Sequence, residues 1–63
     1  MLIKLNWCDS QDEIIINTNY IQWYRKNETN NGTIIKLPDI PAIIVKENLN
    51  EVNDKINNTN VNF

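Results

Sequence analysis

The sequence has no histidine, a single serine and a single cysteine. Ser10 and Cys8 therefore lack the imidazole base that usually activates a nucleophile. One thiol without histidine cannot build a zinc cage. Carboxylates could perform acid–base chemistry, but Asp9, Asp12 and Glu13 fall in a predicted turn, where acidic side chains are commonly solvated. We therefore expect no enzyme activity, no metal site and no cofactor.

Glycine and positive charge are also scarce. Gly32 is the only glycine, which excludes a glycine-rich phosphate-binding loop. Six lysines and arginines stand against eight aspartates and glutamates, for a formal net charge of -2 at pH 7. Nucleic-acid binders usually neutralise phosphates with a basic face, so we do not expect a nucleic-acid partner. A nucleotide would have to be held by side chains and strand-edge amides.

The sequence also lacks a long apolar run, since none reaches the ~20 residues of a membrane span. The apolar start of residues 1–10 is too short for the core of a signal peptide and lacks a small-residue cleavage site. These features predict a cytoplasmic protein without membrane contact, in which Cys8 is a reduced thiol.

The length of the chain favours self-association. A chain of 63 residues buries only roughly 60% of the surface that its unfolded form exposes. Small domains usually add disulfides, a metal or a partner subunit. The single cysteine excludes an internal disulfide, and no metal site is expected. We therefore predict a homo-oligomer, whose subunit number the sequence does not give.

Five segments have the β-branched or aromatic composition of strands and are bounded by turn-forming residues. They are residues 2–6, 13–17, 20–26, 33–37 and 43–45. Asn31-Gly32 suits the positive φ values of a hairpin turn, so the third and fourth segments should pair antiparallel. The stretch from Leu37 to Pro41 contains two prolines, which lack ladder donors, and is predicted to be a loop or a sheet edge.

The apolar spacing changes near residue 48. Leu49, Val52 and Ile56 are spaced three and four residues apart, as on one stripe of a helix. Asn48 is a good N-cap, and Glu51 stands three positions later, as in a capping box. This pattern predicts a helix over residues 49–57 whose apolar stripe covers one face of the sheet.

These elements predict one α+β domain over residues 1–57. Its expected architecture is a small antiparallel β-meander of four to five strands with one C-terminal helix. Residues 58–63 have no periodicity, and we expect them to form a flexible tail.

Aromatic residues cluster around the segment 20–26, which is apolar on both faces. Alternation predicts one face with Tyr20, Gln22 and Tyr24, and the other with Ile21, Trp23 and Arg25. The core can cover one face, and a subunit or a ligand could cover the other. Rings beside cations also stack on bases. Core filling, subunit interface and ligand contact all remain open for the candidate binding residues: Trp7, Tyr20, Trp23, Tyr24, Arg25 and Lys26.

Four segments carry a family resemblance. They are Met1-Leu2-Ile3-Lys4-Leu5, Ile14-Ile15-Ile16-Asn17 with Tyr20-Ile21, Gly32-Thr33-Ile34-Ile35-Lys36-Leu37, and Ile44-Val45-Lys46-Glu47-Asn48-Leu49-Asn50-Glu51-Val52. They resemble the flagellar FlbD-like small proteins and their phage and mobile-element relatives, in which V-K-E-S-L-E-E-V opens the last helix. The resemblance covers residues 1–56, with Asn48 where the family tends to have serine. It implies a non-enzymatic accessory role and assigns no functional residues.

The asparagine-rich composition favours the phage branch of that family over a motility role. A weaker similarity links the chain to the carbon storage regulator, a short all-β RNA-binding dimer with a C-terminal helix. The basic recognition motif of that regulator is not matched here.

Three functions are therefore expected, in this order. The first is a phage-type accessory or anti-defence protein that binds and inhibits a host component. The second is a sponge that sequesters a cyclic or other nucleotide immune signal in a pocket between subunits, with the aromatic and cationic residues of 23–26 at the ligand. The third is a small RNA-binding regulator.

Overall fold

Five antiparallel strands and one helix follow one another along the chain. The computed structural model describes residues 1–58. The elements are β1 (Leu2–Asn6), β2 (Glu13–Asn17), β3 (Trp23–Lys26), β4 (Thr33–Lys36), β5 (Ile43–Val45) and α1 (Leu49–Asn58), with a 3-10 helix, Thr18–Tyr20, before β3. The predicted α+β class, with antiparallel strands and a C-terminal helix, is confirmed.

The strands form two small sheets. β1 pairs with β2 in the first sheet, and β3, β4 and β5 lie in that order in the second. Every pairing is antiparallel, and consecutive strands are neighbours within each sheet, as in a meander.

The residues that follow β1 join the two sheets. Trp7 forms an antiparallel bridge with Val45, and Lys46 N donates to Asn6 O at 2.8 Å. Cys8 N donates to the carbonyl of residue 44 at 3.2 Å. We call this contact of residues 6–8 with residues 44–46 the β1–β5 seam. It leaves β2 and β3 as the outer strands, and within residues 1–58 each of them pairs with a single neighbour.

Glu47 adds side-chain hydrogen bonds to the seam. Asn6 N donates to Glu47 Oε1 at 3.0 Å, and Asn6 Nδ2 donates to Glu47 Oε2 at 2.7 Å. Thr33, which is fully buried, donates from Oγ1 to Glu47 O at 2.8 Å. Glu47, which lies two residues before the start of α1, therefore holds β1 and β4 together.

The core lies between the two sheets and α1. Four of its side chains are fully buried, and they come from β1, β4, β5 and α1: Leu5, Ile35, Val45 and Val52. Burying an aliphatic side chain of this size contributes roughly 1.5–3 kcal/mol. The predicted helix stripe is confirmed, since Val52 is fully buried and Ile56 packs against the core.

The β3–β4 hairpin is confirmed, but the predicted role of Gly32 in its turn is wrong. Asn31 has the positive φ, 67°, and Gly32 does not; asparagine tolerates this region better than most residues. Asn27 N donates to Gly32 O at 2.9 Å, and Asn31 N donates to Asn27 O at 3.1 Å. Gly32 is required because any Cβ there would collide with the carbonyl oxygen of Val45.

The predicted strand over residues 20–26 is wrong for its first three residues, because the strand begins at Trp23. Asn17 Oδ1 accepts a hydrogen bond from Asn19 N at 3.0 Å. This side chain caps the 3-10 helix Thr18–Tyr20, and the helix takes Tyr20 out of the predicted strand.

The shorter strand changes the predicted faces. Tyr20 and Ile21 lie outside β3, so the alternation that grouped them with its two faces is wrong. Ile21 and Tyr24 pack against the core. Trp23 and Arg25 are exposed on the other face of β3.

The N-terminus of α1 has the predicted capping box. Asn48 Oδ1 accepts from Glu51 N, and Glu51 Oε1 accepts from Asn48 N, both at 2.9 Å. The helix ends at Asn58, one residue beyond the predicted end, and residues 59–63 of the predicted tail lie outside the described residues. No helix within residues 1–58 combines the length and apolar character needed to cross a membrane.

Candidate functional site

The six predicted binding residues do not form one patch. Trp7 and Tyr24 are half-buried and pack against the core. The hydroxyl of Tyr24 donates to Asn53 Oδ1 on α1 at 2.7 Å, so this ring holds β3 to the helix. For these two residues the structure favours core filling over partner contact.

Trp23 and Arg25 form a pair on the outer face of the three-stranded sheet. The guanidinium carbon of Arg25 lies 5.7 Å from the centroid of the Trp23 ring, within the range of a cation–π interaction. Trp23 is 45% exposed. Ile34 and Ile44 are half-buried and stand in the same cross-strand row as Arg25. This face combines one exposed ring, one fixed cation and two accessible aliphatic side chains.

Lys26 lies apart from this pair. It lines a hollow of about 270 Å³ with Asn31 and with Asn48, Leu49 and Asn50 at the start of α1. Most of this lining is amide side chains, without aromatic residues. Lys26 therefore lies on the face of β3 opposite to the Trp23–Arg25 pair.

Tyr20 lines an apolar depression with a volume of about 420 Å³. We call it the β2 groove. One wall is β2 and the other is the loop before β5; the lining residues are Ile14, Ile15, Ile16, Asn17, Tyr20, Leu37, Pro38, Asp39 and Ile40. Its lining is mostly apolar, so it suits aliphatic or aromatic side chains of a partner.

The loop wall of the β2 groove is fixed by Lys36. Its Nζ donates to Leu37 O at 2.9 Å and to Ile40 O at 2.6 Å. Asp39 between them has a φ of 67°, and the predicted irregular stretch with its two prolines is confirmed. A charged side chain that satisfies two loop carbonyls holds Ile40 at the rim of the groove.

The other wall is an unpaired strand edge. Thr18 N donates to Met1 O, and Trp7 N donates to Asp12 O, so the even-numbered residues of β2 turn their backbone groups towards β1. In an antiparallel ladder the intervening residues point their groups the opposite way. The N–H and C=O groups of Glu13, Ile15 and Asn17 therefore face away from β1.

Sequence reasoning missed three exposed apolar residues around this edge. Ile15 is 61% exposed, Leu2 is 66% exposed and Ile40 is 44% exposed, while Tyr20 is 62% exposed. A usable signal was present in β2, because Ile15 lies between Glu13 and Asn17 on the face that alternation assigns to solvent. An isoleucine between two polar residues on that face indicates that part of this solvent-facing surface is apolar.

Within residues 1–58, no group of three or more potential metal ligands comes together. Cys8 is a half-buried free thiol. No family model, no curated protein and no solved structure matches this chain. The similarity to the FlbD-like proteins therefore stays a prediction.

Proposed function

We propose that the protein is a non-enzymatic binding protein that works as a homo-oligomer. The observation that carries this proposal is the apolar surface around β2, where Ile15, Tyr20 and Ile40 are all exposed and line one groove. Apolar patches on a protein surface commonly mark contacts with another molecule. A second copy of the chain would remove these side chains from water.

The strand edge adds a polar reason for the same proposal. The backbone groups of Glu13 and Ile15, which face away from β1, have no ladder partner within residues 1–58, and an unpaired edge is a template for another strand. Apolar side chains next to unused backbone groups are the combination that strand addition requires.

Sedimentation velocity over a wide range of concentrations tests the proposal. We expect the weight-average mass to rise from one chain to a fixed multiple as the concentration increases. A mass of one chain at every concentration would contradict it.

A nucleotide ligand is the second candidate function, and the Trp23–Arg25 pair favours it. An exposed indole ring beside a guanidinium offers a base a stacking surface and its phosphate a cation. A ligand at 100 times its dissociation constant stabilises the folded state by about 2.7 kcal/mol. A thermal-shift panel of cyclic and linear nucleotides should therefore raise the melting temperature.

The matched variants for that panel are Trp23→Ala and Tyr20→Ala. Binding on the proposed face predicts that Trp23→Ala abolishes the shift and that Tyr20→Ala retains it. An unchanged melting temperature with every nucleotide would remove this candidate.

We also propose that the assembled form binds a host protein in the cytoplasm. The outer face with Trp23, Arg25, Ile34 and Ile44 is separate from the β2 groove, so it stays available after self-association. Capture from a host lysate should be lost with Trp23→Ala bait and kept with Leu2→Lys bait. Equal capture by both baits would count against this face.

A further inference from the structure

We propose that β2 pairs with β2 of a second copy, antiparallel, about a two-fold axis that passes beside Ile15. This inference rests on the proposed function and specifies the surface that assembles it. The result is a closed dimer in which the two-stranded sheets of both copies join into one continuous sheet. Such an isologous contact uses the same patch on both subunits.

The backbone geometry selects the register. Glu13, Ile15 and Asn17 direct their N–H and C=O groups away from β1, as the hydrogen bonds at both ends of the ladder require. Antiparallel pairing centred on Ile15 sets Ile15 opposite Ile15, and Glu13 opposite Asn17 of the second copy. Ile15 then exchanges both hydrogen bonds with Ile15 of the second copy, and Asn17 N can donate to Glu13 O across the new interface.

The charges favour this register over a parallel one. A parallel, in-register pair would bring the two Glu13 carboxylates together, and like charges directly opposite are destabilising. The two-fold pair brings each Glu13 to an asparagine, whose amide can donate to a carboxylate. Glu13 Oε1 also lies 3.9 Å from Lys4 Nζ in its own chain, so each Glu13 carboxylate has a cation beside it at the proposed interface.

The side chains complete the fit on both faces of the sheet. On the outer face, Ile15 would cover Ile15 of the second copy. On the inner face, Ile14 is half-buried and Ile16 is buried, and both line the β2 groove. The register sets Ile14 beside Ile16 of the second copy, so the apolar inner faces of the two β2 strands become neighbours next to the groove. An apolar groove next to a strand of three isoleucines is self-complementary.

A comparison with β3 shows why β2 is the edge that pairs. β3 carries Arg25 and Lys26 within its four residues, and charged side chains are a common device that blocks edge-to-edge association. β2 has a single charged side chain, Glu13 at its first residue, and contains no lysine, arginine or proline. β2 is therefore the less protected of the two outer strands.

Disulfide trapping tests the axis directly. Cys8→Ala removes the native thiol, and Ile15→Cys is introduced in that background. The two Cα atoms would lie about 5.5 Å apart in a hydrogen-bonded antiparallel pair, within the range of a disulfide. Mild oxidation should join the Ile15→Cys variant into a covalent dimer. Leu2→Cys in the same background is the matched control, because Leu2 is equally exposed on the same face but lies on β1, away from the axis.

The outcomes separate this inference from the proposed function. Rapid crosslinking of Ile15→Cys with slow crosslinking of Leu2→Cys supports the axis. A wild-type oligomer in which Ile15→Cys crosslinks no faster than Leu2→Cys overturns the axis and leaves self-association standing. A wild-type monomer at all concentrations overturns both. Ile15→Lys provides the second measurement, since a dissociation constant raised at least tenfold is expected with circular dichroism unchanged, and an unchanged constant also overturns the axis.

Discussion

The β1–β5 seam and the free edge of β2 are built from the same kinds of residue. They differ in whether the backbone groups have hydrogen-bond partners and whether the side chains are buried. In the seam, Asn6 donates twice to Glu47 and accepts from Lys46, and Val45 is fully buried. Along the edge, the backbone groups of Ile15 face outwards and its side chain is 61% exposed. The seam stabilises the fold of one chain, while the edge leaves binding capacity for another.

The largest expected loss of stability is at Gly32, where the β3–β4 turn packs against Val45 of the seam. Gly32→Ala introduces a Cβ that collides with the carbonyl oxygen of Val45, and such overpacking should cost about 3 kcal/mol of unfolding free energy, at the upper end of the usual range. Asn31→Gly is the control, because it relieves a positive φ of 67° in the same turn. Urea denaturation should show a severe loss for the first variant and none for the second; equal losses would contradict the close approach.

The second largest loss of stability is expected where α1 packs against the core. Val52→Ala creates a cavity at a fully buried position and should cost about 2 kcal/mol. Asn50→Ala, on the exposed side of α1, should change stability by less than about 0.5 kcal/mol. Chemical denaturation followed by tryptophan fluorescence measures both, and similar midpoints for the two variants would argue against α1 as part of the core.

A smaller loss of stability is expected when the Glu47 side chain, which binds Asn6, is removed. Glu47→Ala leaves Asn6 N and Nδ2 without their acceptors, which lie at 3.0 and 2.7 Å. Hydrogen bonds to a charged group contribute roughly 1.5–3 kcal/mol, so the melting temperature should fall by several degrees. The exposed Glu28 in the β3–β4 turn is the matched control, and Glu28→Ala should melt as the wild type does.

The smallest loss of stability is expected at the helix cap. Asn48→Ala removes the acceptor for Glu51 N at 2.9 Å and should cost about 1 kcal/mol. Asn48→Ser keeps a capping oxygen, so it should retain most of the stability. Thermal denaturation decides between these expectations, and equal destabilisation by both substitutions would remove the capping argument.

The elements that were predicted correctly are those whose sequence patterns are local. β1, β2 and β5 begin and end where alternation and β-branched runs place them, and α1 begins at the residue after its predicted cap. These signals depend on residues a few positions apart. Tyr20 is not part of β3, because it belongs to the 3-10 helix that the Asn17 side chain caps.

The candidate site was harder to predict because it depends on which strands become neighbours. Ile15 and Tyr20 line the β2 groove together with Ile40, which is twenty residues further along the chain than Tyr20. The reason for Gly32 likewise lies in β5, thirteen residues further along the chain. Sequence alone marks Ile15 as an exposed apolar residue, but it does not show that β2 lies at an edge.

Amide hydrogen exchange at Ile15, followed by NMR at increasing protein concentration, tests the comparison most directly. The seam and the β1–β2 ladder predict that the amides of Ile14 and Ile16 are protected at every concentration. The free edge predicts that the Ile15 amide exchanges rapidly in dilute protein and becomes protected as copies assemble. An Ile15 amide that stays unprotected in the assembled protein would contradict the account.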